Sequence, residues 1–164
     1  MRDPAAGVRR LAERLRPGGL LKLGFYSERA RGPIRDAKAA IAAGGFDATP
    51  GGIRAFRRHV LGLPPDAPLR RLLRWRDFFS LSECRDMLFH VQDHEFRLPA
   101  AGALLRDAGL DVLGLSRRLP PGALQAYQAR FPGDEAAADL ERWDQVEASH
   151  PNLFAGMFHI WARR

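Results

Sequence analysis

The sequence predicts an α/β protein, and three apolar runs carry that prediction. Residues 20–26 are apolar without the alternation of a half-buried strand, and they follow a tight Pro-Gly-Gly turn. Residues 111–116 and 154–162 form two further apolar runs, and stretches with helical spacing separate all three. Because strands that are covered on both faces alternate with helices in parallel sheets, we expect such a sheet here.

The first two elements are a helix and the strand that follows it. Pro4 suits the first turn of a helix over residues 4–16. The Pro-Gly-Gly turn at residues 17–19 ends this helix, and the strand over residues 20–26 follows directly. We expect that strand to be a core element, with Lys22 near its end or against a helix.

The middle of the chain, residues 27–97, predicts helices without a strand between them. Gly44 and Gly45 close one helix, and Thr49 is an N-cap candidate with Pro50 at the first helical position. So much helix without a strand is typical of an inserted cap or lid. The predicted helices span residues 34–43, 52–61, 69–75 and 83–91, the last capped by Ser80 or Ser82.

The last third returns to alternating helices and strands. A helix over residues 98–108 leads to the strand over residues 111–116. Helices over residues 122–130 and 134–149 then precede the terminal strand, residues 154–162. The second of these helices carries many acidic residues, which we place on its exposed face. The chain therefore provides three predicted strands, a narrow sheet for the helices that must cover it.

Length and charge restrict the class of protein. The 164 residues suit one domain with a hydrophobic core. The formal net charge is +7, but of the 26 basic residues only Lys22 and Lys38 are lysines. The arginines are dispersed along the chain, whereas a nucleic-acid site is expected to gather basic and aromatic residues in one patch. We therefore do not predict a nucleic-acid partner.

The sequence also restricts the cellular setting. No apolar run approaches the ~20 residues that a bilayer-spanning helix needs, and no apolar leader follows the charged N-terminus. Cys84 is the single cysteine, so neither an internal disulfide nor a cysteine-cluster zinc site can form. These features predict a reduced, cytoplasmic setting without a membrane partner.

Four segments, in order along the chain, resemble parts of one known family. The first is RDPAAGVRRLAERLRPGGLLKLGFYS, in which a helix ends in an L-R-P-G-G turn before an apolar strand. Another is similar to a stretch of bacterial proteins that often carry tetratricopeptide repeats: DFFSLSECRDMLFHVQDHEFRLP. The others are a helix with its strand, LPAAGALLRDAGL and DVLGLS, and the final FAGMFHIWARR. Together they resemble the fifth strand, a helical insert, the sixth strand and the antiparallel terminal strand of class I S-adenosylmethionine-dependent methyltransferases.

The resemblance implies an incomplete Rossmann-like sheet, limited to its last three strands, with a helical lid insertion. Residues 1–26 would hold a helix and the fifth strand, residues 27–97 the insertion, and residues 98–164 the last helices and two strands. The family binds S-adenosylmethionine mainly through the first half of the sheet, where a G-x-G-x-G loop follows the first strand. The chain contains no such loop, so no cofactor-binding residue is predicted.

A missing cofactor-binding half is therefore expected. The chain would be a fragment or a mis-started gene product, or else a small protein that pairs with a separate chain. The full protein would transfer a methyl group from S-adenosylmethionine to an unidentified acceptor, and this chain alone would be inactive. Two other classes stay open: a non-catalytic interaction module that docks through an exposed sheet edge, and a basic nucleic-acid-binding domain.

The resemblance also implies candidate site residues. Tyr26 and Ser27, at the carboxyl end of the fifth strand, would face the substrate crevice. A lid over that crevice would add further substrate-binding residues, namely Arg85, Asp86 and Gln92. His90 and His94 are the best candidates for a general base, because an unperturbed histidine pKa lies near neutrality. The alternative is an ordinary polar helix end.

The same histidines raise the question of a metal. His90 and His94 are four residues apart with Cys84 and Asp93 nearby, a spacing that resembles metal ligands. No glutamate directly follows His90, so the zinc-protease motif is absent. The Gln-Asp-His-Glu stretch is typical of a helix exit, and we therefore predict no metal site.

Overall fold

The structure, a computed structural model, describes residues 3–90 and 93–164. The chain divides into two compact units. The sheet unit combines Met1–Ala30 with His94–Arg164, and the helical unit is Arg31–Asp93. Helices and a mixed four-stranded sheet occur in the described residues, which confirms the predicted α/β class at this level.

The described residues form seven α-helices and two short 3-10 helices, Pro68–Arg74 and Arg76–Phe79. None of the described helices is both long enough and apolar enough to cross a membrane. The α-helices are α1 (Pro4–Arg14), α2 (Gly32–Ala43), α3 (Pro50–Gly62), α4 (Leu81–Phe89), α5 (Leu98–Asp107), α6 (Ala123–Arg130) and α7 (Leu140–Ser149).

The strands of the sheet unit are β1 (Leu20–Ser27), β2 (Glu95–Phe96), β3 (Asp111–Leu115) and β4 (Phe158–Arg163). Their order in the sheet is β2-β1-β4-β3. The terminal strand β4 pairs antiparallel with both β1 and β3, so β1 and β3 run in the same direction. The strand that follows the Pro-Gly-Gly turn therefore pairs with the terminal strand.

The short strand β2 is absent from the sequence prediction. It pairs parallel with β1, with Tyr26 opposite Glu95 and Ser27 opposite Phe96. The sequence predicts three strands, and this ladder adds a fourth, so the predicted number of strands is wrong. A strand of two residues has no measurable hydrophobic period, so the sequence pattern could not reveal it.

The Pro-Gly-Gly turn sets the start of β1 beside the end of β4. Gly18 has φ +75°, a left-handed conformation that glycine adopts without strain. A side chain on Gly19 would meet the carbonyl oxygen of Arg16 at 2.8 Å. The Gly18 N–H donates to the Arg164 carbonyl oxygen over 2.7 Å, and the Arg164 N–H donates to Gly19 over 3.0 Å. Both glycines are therefore required by the geometry of this turn.

One face of the sheet, the inner face, packs against α1, α5, α6 and α7. Phe25, Phe158 and Ile160 lie in one buried cluster with residues of all four helices. Trp143 of α7 is completely buried in that cluster, and its indole N–H donates to the Ala137 carbonyl oxygen over 2.7 Å. The inner face therefore carries the core of the sheet unit.

The opposite face, the outer face, is open. Exposure alternates along β1, and Leu20 is 57% exposed. Trp161 of β4 lies on the same face, because it pairs with Lys22, and is 37% exposed. The prediction that the first strand is covered on both faces is therefore wrong for this chain. The helices of the sheet unit cover one side of β1, and the open side carries Lys22 and Gly24 beside Leu20.

Two predicted boundaries are also wrong. α7 begins at Leu140 and not at residue 134, because the Asp139 carboxylate caps it by accepting from the N–H groups of Glu141 and Arg142. β4 begins at Phe158 and not at residue 154. Phe154 is nevertheless buried in the core, which explains why the apolar run starts earlier than the strand.

The helical unit has a core of its own, in which Phe56 and Phe78 are completely buried. The predicted N-cap Thr49 is confirmed, since its hydroxyl accepts from the Gly52 N–H over 3.1 Å at the start of α3. Ser80, not Ser82, caps α4. The described residues of this unit form helices and turns only.

Candidate functional site

The carboxyl end of β1 carries a buried hydroxyl group. Ser27, the last residue of β1, is completely buried. Its Oγ donates a hydrogen bond to Oε1 of Glu147 on α7 and accepts one from the Ala30 N–H over 3.1 Å. The structure therefore places this predicted site residue in a buried network.

Glu147 is a buried carboxyl group with an incomplete set of hydrogen bonds. It is completely buried, and its Oε2 has no hydrogen-bond partner among the described residues. Burial raises the pKa of Glu147 above its ordinary value, and the hydrogen bond from Ser27 offsets part of that rise. A carboxyl group with a raised pKa holds or releases a proton closer to neutral pH, as general acid–base catalysis requires.

Asp144 lies one helical turn before Glu147 and has the opposite environment. Burial alone would raise its pKa, but hydrogen bonds from Arg97 and Arg29 outweigh burial and hold the pKa of Asp144 below its ordinary value. Arg97 binds both carboxylate oxygens, with Nε 3.0 Å from Oδ1 and Nη2 on Oδ2. Arg29 Nη2 lies 3.3 Å from Oδ2. Asp144 is therefore ionised and holds the Arg97 guanidinium through both of its carboxylate oxygens.

The two α7 carboxyl groups thus have pKa values displaced in opposite directions. Such a separation assigns different roles to neighbouring acids. Asp144 holds a fixed negative charge between two guanidinium groups, whereas Glu147 is the group that can change protonation. We call Ser27, Arg29, Arg97, Asp144 and Glu147 the carboxyl-end cluster.

The carboxyl ends of three strands lie at one edge of the sheet. β1, β2 and β3 run in the same direction, so their carboxyl ends lie at the same edge of the sheet. Tyr26 is half-buried there, opposite Glu95 in the parallel ladder. Ligands of open α/β sheets bind outside this edge. Tyr26 is thus at the edge where such a fold places a ligand, whereas the side chain of Ser27 is completely buried and does not face a crevice.

A pocket of about 420 Å³ opens beyond the carboxyl end of β3. That volume lies in the range of small-molecule sites. Leu115, Leu119 and Leu124 give it an apolar wall, and Arg117 and Gln128 add polar groups. The pocket can accept a small molecule that carries both apolar and polar groups.

Three other predicted substrate residues lie on or after α4. Arg85 and Asp86 are on the exposed side of that helix. The buried side of α4 is formed by Cys84, Met87 and Leu88. Gln92 lies outside the described residues. Arg85 and Asp86 therefore belong to the helical unit and do not line the pocket beyond β3.

The two predicted histidines belong to different units. His90 ends α4 in the helical unit, and His94 is an exposed residue of the sheet unit. Nδ1 of His90 lies 3.3 Å from Oδ1 of Asp93. The other oxygen of Asp93 accepts from Arg31 over 2.8 Å and from Lys38 over 2.6 Å. His90 therefore contacts a carboxylate that two cations already neutralise.

Sequence reasoning missed four members of the carboxyl-end cluster: Arg29, Arg97, Asp144 and Glu147. The prediction that the acids of the last helix face solvent is wrong for two of them, because Asp144 and Glu147 are buried. The sequence nevertheless indicates the burial of these two acids. Asp144 follows Leu140 by four residues and Glu147 follows Trp143 by four, so helical spacing places both acids on the apolar side of the helix.

Three glycines of the chain are closely surrounded by protein atoms. A Cβ atom added at Gly19, Gly52 or Gly114 would meet protein atoms within 3 Å, so the chain itself fills the space beside these three residues. Among the described residues, no group of three or more His, Cys, Asp or Glu could hold a metal ion.

No family model matches the sequence. The chain is 32% identical over 127 residues to an uncharacterized protein of Synechococcus sp. (strain ATCC 27144). The matched segment is 72% of this chain but 30% of that protein. The chain therefore spans less than a third of the length of the relative that it matches.

Proposed function

We propose that the chain is the acceptor-side, C-terminal half of a class I S-adenosylmethionine-dependent methyltransferase. A second half, in the same polypeptide or in a partner chain, supplies the cofactor site. The methyl acceptor is unidentified, and this chain alone is inactive. The full protein is then an enzyme with an incomplete Rossmann-like sheet in this segment.

The observation that carries the proposal is the strand arrangement behind the Pro-Gly-Gly turn. β1 follows that turn and runs parallel to β3. The terminal strand β4 lies between them and is antiparallel to both. The resemblance implies an antiparallel terminal strand after two parallel ones, so the arrangement supports the proposal.

An open edge of β1 gives further support. On the side away from β4, the described partners of β1 are limited to the ladder at Tyr26 and Ser27. Residues 20–25 therefore keep a free strand edge within the described residues. Such an edge is a template for another strand. A parallel strand from the missing half would pair there.

The carboxyl edge of the sheet supplies the groups that an acceptor would meet. Methyl transfer depends mainly on positioning, with proton removal only where the acceptor must lose a proton. In the proposal Tyr26 and the pocket beyond β3 line the acceptor side. Glu147 accepts a hydrogen bond from the Ser27 hydroxyl at its Oε1 and holds a proton at Oε2, which has no hydrogen-bond partner among the described residues. His90 and His94 stay predictions for the general base.

Calorimetry with S-adenosylmethionine tests the proposal. The longer Synechococcus relative is expected to bind in the micromolar range, and this chain no tighter than about millimolar, because its sequence contains no G-x-G-x-G loop. Micromolar binding by this chain alone would show that the proposed location of the cofactor site is wrong. Failure of the longer relative to bind would contradict the methyltransferase proposal itself.

Translation of the DNA upstream of Met1 is an independent test. An in-frame strand followed by a G-x-G-x-G loop would support one interrupted polypeptide. A separate ribosome-binding site with no such reading frame would favour a partner chain. The two results thus choose between the two sources of the second half.

The open edge of β1 also favours a second candidate, a non-catalytic interaction module that docks through this edge. Such a module would bind a partner strand without any cofactor. A longer relative that binds a partner through this edge but does not bind S-adenosylmethionine would favour the module over the enzyme.

A further inference from the structure

The outer face of the sheet exposes a group of large apolar side chains. Seven large hydrophobic side chains are exposed among the described residues, and four of them lie on or next to the strands. These four are Leu20, Leu113, Met157 and Trp161, at 57, 42, 40 and 37% exposure. Single exposed hydrophobic residues are ordinary, whereas a contiguous group marks an interaction site.

The register of β1 and β4 places the strand residues on one face. Lys22 lies opposite Trp161, and Gly24 lies opposite His159. Directly opposed residues of antiparallel strands share a face, and alternate residues along one strand share it too. Leu20 therefore projects on the same side as Trp161.

Met157 and Leu113 extend this face on either side. The Met157 sulfur lies 3.2 Å from the position that a Cβ on Gly24 would take. Leu113 follows Val112, whose partner Ala162 is buried in the inner core. β3 has a β-bulge between Val112 and Gly114, and Gly114 pairs with Trp161, so the exposed Leu113 lies beside Trp161 at the outer face. We call Leu20, Leu113, Met157 and Trp161 the outer patch.

The charges around the outer patch are mainly basic. Nζ of Lys22 lies 5.8 Å from the centroid of the Trp161 ring. Arg163 shares the face because it pairs with Leu20. Asp111 is an acid beside it and already lies 3.4 Å from the Arg163 guanidinium. A binding partner with an apolar side and carboxylates along the edges of that side would complement these basic groups.

We propose that the outer patch docks an amphipathic α-helix with acidic residues along its edges. The helix comes from polypeptide that, in the longer relative, lies outside the matched segment. A sheet in which parallel strands alternate with helices is covered by helices on both faces, and here only the inner face has them. The matched segment is 30% of the relative, so the remaining length can supply the helix.

A second copy of the chain is a poorer occupant. It would bring a second Lys22 to the interface, while its Arg163 and Asp111 already pair with each other. Like charges across an interface oppose association. The inference rests on sheet geometry, charge and the length of the relative, and it concerns binding alone. It therefore holds or fails independently of methyl transfer.

The test measures binding between this full chain and the part of the Synechococcus relative outside the matched segment, expressed as a separate polypeptide. Circular dichroism first establishes that this probe is helical. Calorimetry without cofactor is expected to show saturable binding. Trp161→Glu and Leu113→Glu are expected to weaken it at least about tenfold, because an apolar contact would then have to desolvate a carboxylate.

Leu11→Glu is the matched control. Leu11 is 41% exposed, almost the same as Leu113, but it lies on α1. We expect this variant to keep the affinity within about twofold. Lys22→Glu is expected to weaken binding several-fold at low salt and less at high salt, because screening reduces exposed charge interactions.

Three results would overturn the proposal. The first is absence of binding by a helical probe, and the second is equal weakening by Leu11→Glu and Leu113→Glu. The third is a dimer of the wild-type chain in analytical ultracentrifugation that Leu113→Glu converts to a monomer. That last result would assign the outer patch to a second copy.

Discussion

The inner and outer faces of the sheet belong to the same strands but differ in what covers them. Along β4, Phe158 and Ile160 are buried against helices, whereas Trp161 is 37% exposed. β1 shows the same contrast between Phe25 and the 57% exposed Leu20. The inner side of β4 is apolar throughout, whereas the outer sides of β1 and β4 also carry Lys22 and Arg163. The difference in exposure therefore follows a difference in composition between the two sides of each strand.

The polar edge of the sheet sharpens the contrast. On the inner side, the carboxyl-end cluster satisfies most of its polar groups with arginines and a hydroxyl. On the outer face, Lys22 lies over Trp161 and Arg163 pairs with Asp111, and all of these residues are exposed. The inner side is therefore specified by this chain itself, whereas the outer face has the composition of an interface.

The largest expected difference concerns two tryptophans. Trp143→Ala removes a completely buried side chain from the inner core and is expected to cost about 3–5 kcal/mol of unfolding free energy. Trp161→Ala removes an exposed side chain of the outer face and is expected to cost less than about 1 kcal/mol, including its contact with Lys22. Urea unfolding followed by far-ultraviolet circular dichroism measures both.

The matched pair makes the comparison direct, because the two variants delete the same atoms. Comparable losses for Trp143→Ala and Trp161→Ala would show that the outer face is packed in solution, contrary to its exposure here. A smaller loss at Trp143 than at Trp161 would reverse the assignment of the two faces.

Two glycines provide a smaller contrast. Gly114 has φ +117°, and a Cβ there would lie 2.9 Å from the Ala138 Cα, so Gly114→Ala is expected to cost about 1–3 kcal/mol. At Gly24 the added Cβ would meet side-chain atoms of His159 and Met157 at 3.1–3.2 Å. Gly24→Ala is expected to change stability by less than about 0.5 kcal/mol, because an exposed Met157 can move.

The same urea titration compares these variants. A loss at Gly24 as large as that at Gly114 would mean that the outer face is rigidly packed around Met157. A neutral Gly114→Ala would contradict the strained backbone and the close approach of Ala138.

Elements with a strong local signal could be predicted from the sequence. The first helix, the Pro-Gly-Gly turn and the Thr49 cap all depend on residues next to one another in the chain. β2 could not be predicted, because two residues have no period. The coverage of β1 could not be predicted either, because the partners of a strand face are set by tertiary packing.

The candidate site was only partly predictable for the same reason. Ser27 could be placed at the end of a strand, but its partner Glu147 is 120 residues away in the chain. A single sequence gives no information on such a pairing. The burial of Glu147 was nevertheless encoded locally, since it shares the helical face of Trp143.

The smallest expected effect is a change in the pH dependence of stability at the inner, polar edge of the sheet. Burial raises the folded-state pKa of Glu147 above the ordinary 4.5. Its contribution is therefore fully present below pH 4.5 and is lost as the pH rises through the folded value. The lowered pKa of Asp144 acts with the opposite sign, since its contribution is present above pH 3.8 and lost as the pH falls through the folded value.

Glu147→Gln removes the first contribution and keeps the second. Stability measured by urea unfolding between about pH 3 and pH 8 is therefore expected to decline less above pH 4.5 in Glu147→Gln than in the wild-type chain. Glu141→Gln, which changes an exposed acid of the same helix, is expected to keep the wild-type profile. If Glu147→Gln also keeps that profile, Glu147 does not change protonation on folding, and the difference in role between the two buried acids of α7 disappears.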